Sequence, residues 1–277
     1  MNFNQRFLSF TRQQNSLLCV GLDPDPKRFP QTLKRDADPL LKFCTEIIDC
    51  TKHAAAAFKL NFAFFEAEGS RGYAVLEKLM QIIPPNVLTI ADAKRGDIGN
   101  SSDMYARSIL QRLNFDAVTV NPYMGSDAVA PFLQWPEKGA FILCLTSNPG
   151  TRDFQYFSDG QKKLYEKVTE NVTGWNGNQN CGLVVGATQP GELEKVRTAA
   201  PGLPFLIPGV GAQGADLETA VRNGTDPAGE LALFNVSRGI LYQSAGDDFA
   251  EKAGREAEKI KDQINDIRKA KINAAAN

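Results

Sequence analysis

The sequence predicts an α/β protein, a single-domain (β/α)8 barrel over residues 1–277. Three observations carry this: eight short apolar runs, helical patterns between most of them, and no low-complexity or Pro/Ser-rich linker. The runs, rich in β-branched and aromatic residues and bounded by turn residues, fall at 17–22, 56–62, 87–92, 117–121, 140–145, 182–186, 205–208 and 233–236. Most are continuously apolar, the pattern of strands covered on both faces in a parallel sheet. Helical spacing marks 38–52, 71–83, 102–113, 161–173 and 191–199, and 247–272 places Ile260, Ile264 and Ile267 on one face. A doubly wound open sheet is the alternative that this alternation leaves standing. The longest irregular stretch, 147–160, is rich in Gly, Pro, Asn and Asp, as lids often are.

Composition narrows the function classes. The chain's 31 basic and 32 acidic side chains leave a net charge of −1, with no excess to hold a nucleic-acid backbone or an anionic membrane. No uncharged apolar stretch approaches the roughly 18 residues that cross a bilayer, and the N-terminus lacks a secretory h-region. The five cysteines are scattered without a C-x-x-C pair, mostly inside apolar runs, which reads as reduced thiols in a cytoplasmic protein. A single histidine, His53, argues against His-based metal sites and a Ser-His-Asp triad.

Chemistry concentrates where strand three should end. Residues 89–102 read TIADAKRGDIGNSS, placing Asp92, Lys94, Arg95 and Asp97 within six positions. Asp92 and Lys94 are two apart, so on an extended strand both project to one face, and C-terminal strand ends line the mouth of a barrel. A solvated charged turn is the bland reading of such a run. Lys59 weighs against it, because it interrupts the otherwise apolar AAAAFKLNFAFF. A buried ammonium needs an acidic partner, and Asp92 on the neighbouring strand is the available one.

Farther along, IPGVGAQGAD places Gly209, Gly211 and Gly214 in G-x-G-x-x-G spacing after strand seven. A Rossmann loop is the usual guess, yet no acidic residue closes the next strand, which ends Asn235-Val236-Ser237-Arg238-Gly239. In a barrel, the loops after strands seven and eight hold a phosphate; backbone amides, Gln213 and Arg238 are suitable donors. Asp23, in CVGLDPD, either accepts from sugar hydroxyls or caps a turn. Ser147 opens the long loop and is within reach of a ligand, as any loop serine is. Trp135, Trp175 and the cluster Phe62, Phe64 and Phe65 read as packing.

Taken together, Lys59, the run Asp92-Ala93-Lys94-Arg95-Gly96-Asp97-Ile98 and the PGVGAQG and SRG segments resemble the orotidine 5′-phosphate decarboxylase family, in its bacterial branch with a D-A-K-R-G-D-I-G signature. The four motifs stand in the family's order between Asp23 and Gly239. The resemblance implies a homodimeric (β/α)8 barrel with mouths facing the partner. It implies conversion of orotidine 5′-monophosphate to UMP and CO2, late in de novo pyrimidine synthesis, without metal or organic cofactor. It assigns Lys59, Asp92 and Lys94 to a charged array with Lys94 as proton donor to C6, and Asp97 to the neighbouring subunit's site. Asp23 then contacts the ribose, Ser147 the base, and Gln213, Arg238 and Gly239 the phosphate, with Pro208 also on the substrate. Ser101 stands where relatives often carry threonine, keeping a hydroxyl near the ribose. The rivals are a magnesium-dependent sugar-phosphate decarboxylase, a phosphoribosyl isomerase and a phosphometabolite sensor without turnover.

Overall fold

The computed structural model describes residues 1–210 and 216–276. Eight parallel strands close into a barrel in sequence order, β1 (Leu18–Leu22), β2 (Ala57–Asn61), β3 (Leu88–Arg95), β4 (Ala117–Val120), β5 (Gly139–Leu145), β6 (Cys181–Val185), β7 (Phe205–Pro208) and β8 (Ala232–Val236), with β8 pairing back onto β1. Closure settles the choice between barrel and open sheet. Around it run α1 (Phe3–Gln13), α2 (Pro39–Thr51), α3 (Phe62–Glu66), α4 (Gly69–Ile82), α5 (Gly99–Ala106), α6 (Ser126–Val129), α7 (Thr151–Phe154), α8 (Leu164–Trp175), α9 (Pro190–Ala199), α10 (Leu217–Gly224), α11 (Arg238–Leu241) and α12 (Phe249–Ala276).

Both faces of the strands are apolar because each meets a different core. Outward side chains such as Val20, Phe58, Val118 and Ile142 join the helices in one cluster. Inward ones, Cys19, Ala57, Leu88, Ile90, Ala117, Phe141, Val184, Leu206 and Leu233, fill the barrel in a second. The bottom of that interior is sealed by α1, which carried no expectation. Asn2 and Gln5 form a reciprocal cap, and Phe3 and Phe7 enter the inner cluster, with Phe3 edge-on to Phe141 at 5.9 Å. A Cβ on Gly139 would lie 2.5 Å from the Phe3 ring, so glycine there makes room for the plug. Also at this end, buried Arg197 donates to the carbonyls of Gly224, Ala200, Pro201, Leu203 and Leu231, tying together the segments that lead into β7 and β8.

Element ends depart from the predicted ones for local reasons. Phe62 starts α3 instead of ending β2, because the Asn61 side chain accepts from the Ala63 amide and caps a helix. The helix expected from 161 begins at Leu164, since Asp159 holds the amides of Gln161 and Lys162 in a turn. The stretch 147–160 is less irregular than expected. It contains α7, and the Gln155 side chain accepts from the Thr146 backbone N–H at 2.8 Å and donates to the Thr146 hydroxyl oxygen at 2.9 Å. No helix among the described residues is long and apolar enough to cross a membrane.

Candidate active site

The chemistry sits one inward-facing step above the apolar filling. Side chains two apart on a strand share a face, so Lys59 stands above Ala57, Asp92 above Ile90, Thr119 above Ala117 and Asn235 above Leu233. With Asp23, Asn61, Lys94, Ser147, Pro208 and Arg238 they line a cavity of about 330 Å³ at the C-terminal end of the barrel.

At its base one carboxylate faces two ammonium groups. Asp92 Oδ2 lies 2.7 Å from Lys59 Nζ, and Asp92 Oδ1 lies 2.6 Å from Lys94 Nζ. Asp23 adds a weaker contact, its Oδ1 3.8 Å from Lys59 Nζ. The exposures separate the lysines: the Lys59 side chain is 6% exposed and that of Lys94 52%. Lys59 therefore holds Asp92 in place, while Lys94 keeps an ammonium open to the cavity. Burial works against the charge of Lys59, but Asp92 and Asp23 outweigh it and hold its pKa above the ordinary lysine value. Burial would likewise raise the pKa of Asp92; the two lysines overcome this and keep it well below the usual carboxylate range. Cys19, beneath the array, is pushed up to about 12 by burial, which leaves it an inert thiol.

Lys94 reaches this position by a different route from simple alternation. Four steps along β3, Ala91 to Arg95, pair with only two along β4, Val118 to Val120, so the strand bulges. Within the bulge Lys94 adopts φ +46°, a left-handed conformation that side chains other than glycine rarely take. Thr119 holds both ends of the arrangement. Its Oγ1 accepts from the Lys94 backbone N–H at 2.9 Å and donates to Asp92 Oδ1 at 3.0 Å.

The remaining expected residues divide. Ser147 and Asp23 each present a buried oxygen, Oγ and Oδ1, without a hydrogen-bond partner among the described residues. Both line the cavity, as a ligand-binding role requires. A Cβ on Gly186 would lie 2.3 Å from Ser147 Oγ, so that glycine admits the serine. Arg238, exposed at the start of α11, lines the cavity with Pro208 and Gly209. Gly239 follows it in α11 but is not among the lining residues. Gln213, Gly211 and Gly214 lie outside the described residues. Asp97 and Ser101 are not brought to the array within one chain. They line a separate concavity with Arg95, Met104 and Tyr105, and Asp97 Oδ1 accepts from the Ile98 amide at 2.8 Å.

Thr119, Asn61, Thr146, Asn148, Asn235 and Ser237 also line the cavity and carried no expectation. For Thr119 and Asn235 a signal existed: a polar residue at the inward parity of an apolar strand, near its C-terminal end. Read as β-propensity, a threonine between two valines hides that signal.

A closed (β/α)8 barrel with a lysine–aspartate–lysine array and an arginine lining the same cavity defines an enzyme-like barrel suited to a small anionic ligand. Residues 16–253 match the family model described as Orotidine 5′-phosphate decarboxylase / HUMPS family, and the chain belongs to that family. It is 50% identical over 273 residues to the orotidine 5′-phosphate decarboxylase of Dehalococcoides mccartyi, covering 97% of this chain and 99% of the relative. It is 46% identical over 272 residues to that of Azoarcus sp., covering 97% and 100%. The solved structure of Leishmania donovani OMP decarboxylase superposes with a TM-score of 0.84 at 40% identity, covering 97% of this chain and 99% of that one.

Proposed function

We propose that this chain decarboxylates orotidine 5′-monophosphate to UMP and CO2, a late step of de novo pyrimidine biosynthesis, as a cytoplasmic homodimer of one-domain subunits. The observation that carries the reading is the ammonium of the half-exposed Lys94 side chain, 2.6 Å from a carboxylate that Lys59 also holds. Breaking the bond from C6 to the carboxylate releases CO2 and leaves an electron pair on C6 that the ring delocalises poorly. An ammonium fixed beside that carbon stabilises charge that exists only in the transition state. Lys94 then gives its proton to C6, forming the C–H bond of UMP, and the neutral amine is reprotonated from solvent. Asp92 and Lys59 keep the ammonium aimed. Asp92 also crowds the substrate carboxylate, a smaller contribution.

Arg238, with Gln213 and Gly239, binds the phosphate; Asp23 binds the ribose, Ser147 the base, and Pro208 packs on the substrate. Phosphate binding is remote from the bond that breaks, so its energy serves to close the 147–160 loop and exclude water. Asp97 and Ser101 serve the partner's site. Their separation from Lys94 in one chain fits that division, and so do the exposed Ile98, Met104, Tyr105, Tyr123 and Met124. The test is an absorbance assay of orotidine 5′-monophosphate with and without a chelator. Turnover indifferent to chelation is expected; chelator-sensitive activity favours a magnesium-dependent decarboxylase, and UMP binding without turnover favours a sensor.

A further inference from the structure

The left-handed Lys94 sits between two residues that are tied to each other. Arg95 Nη1 donates to the carbonyl of Ala93 at 2.9 Å, closing a ring with Lys94 at its centre. The backbone on the far side is also held, because the Asn121 amide donates to the Arg95 carbonyl at 2.7 Å. Arg95 is in turn anchored from another element. Its Nη2 pairs with Glu66 of α3, a carboxylate that also accepts from the Tyr73 hydroxyl at 3.1 Å. The guanidinium carbon lies 5.7 Å from the ring centre of Phe62 and 5.3 Å from that of Tyr105. A planar fork can make the carbonyl bond and the ion pair at once while resting on the rings; an ammonium cannot.

We propose that Arg95, anchored by Glu66, is a positioning residue that holds the β3 bulge and thereby aims the Lys94 ammonium. Arg95 is absent from the cavity that Lys94 lines and acts through the backbone, not on the substrate. The left-handed turn is the costly conformation in the array, and the Arg95–Ala93 bond spans it directly. Without it, Lys94 relaxes toward ordinary strand geometry and its ammonium leaves the place that Asp92 and Thr119 define. The inference rests on Lys94 acting in the proposed decarboxylation.

The test uses the full chain with Arg95→Met, Arg95→Lys and Glu66→Gln. It measures kcat and KM for orotidine 5′-monophosphate, UMP affinity by calorimetry, melting temperature and subunit assembly. Arg95→Met is expected to lose roughly 10–100-fold in kcat, the scale of an ångström-level misplacement, with UMP affinity within about threefold, since product contacts do not pass through Lys94. Arg95→Lys should keep its assembly and melting temperature yet recover little kcat, because it retains the charge without the fork. Glu66→Gln, the mildest change, should fold and show a smaller loss with the same split. Wild-type kcat in Arg95→Met, or in Glu66→Gln should Arg95→Met not fold, overturns the inference; so does an equal fall of kcat and UMP affinity. A wild-type chain without decarboxylase activity would instead sink the proposed function.

Discussion

Replacing Lys59 by methionine tests the array most directly. Methionine keeps the straight apolar stem and removes the charge, so the change opens little space. The lost partner stands 2.7 Å from Asp92 and 3.8 Å from Asp23, and its side chain is 6% exposed. Breaking a buried pair by removing one member costs about 3–5 kcal/mol. Here Asp92 keeps Lys94 at 2.6 Å and the Thr119 hydroxyl at 3.0 Å, which points to the lower end of that range. For a chain of this size about 3 kcal/mol lowers the melting temperature by about 6 °C.

The pH dependence carries a sign. Asp92 has a depressed pKa, so its share of the stability is present above its unfolded value of about 3.9 and is lost as pH falls through the folded one. Lys59 has a raised pKa, so its share is present below about 10.4 and is lost as pH rises through the folded value. The gap between wild type and Lys59→Met should therefore be full near neutrality and narrow at both extremes. Thermal scans at matched rates across pH measure it. A neutral-pH loss below about 2 °C, or a gap that widens in acid, would refute the buried-pair reasoning.

Four further outcomes are expected. Lys94→Ala should abolish most turnover while the protein stays folded and binds UMP; near-normal turnover in the absorbance assay counts against Lys94 as proton donor. Arg238→Ala should weaken handling of the phosphorylated substrate by roughly 2–4 kcal/mol and scarcely affect orotidine lacking phosphate; kcat/KM on both compounds decides, and equal losses speak against a phosphate contact. Mixing inactive Lys94→Ala and Asp97→Ala chains should restore activity, since a mixed dimer has one site free of both defects; silence despite demonstrated subunit exchange argues against a shared site. Phe3→Ala, at a side chain only 1% exposed, should cost about 3–5 kcal/mol in urea unfolding without changing KM, and a changed KM would show that α1 does more than plug the barrel.

The sequence by itself determined the strands, because each covers two apolar cores and so reads as an unbroken apolar run. It also exposed Lys59 and Asp92, since charges inside such runs violate burial preferences strongly enough to be seen in one dimension. Closure of β8 onto β1, the helix plug beneath the barrel and the partners that Thr119 bridges were decided only by tertiary structure. They depend on which strands become neighbours and which way each pleat faces. The geometry of Lys94 belongs there too. Alternation brought it to the correct rim in principle, but the bulge and the left-handed turn that aim it are held by Thr119 on the Lys94 amide and by Arg95, which spans the turn to Ala93 and is itself paired with Glu66, groups drawn from three separate elements. A two-residue spacing cannot encode such contacts; packing supplies them.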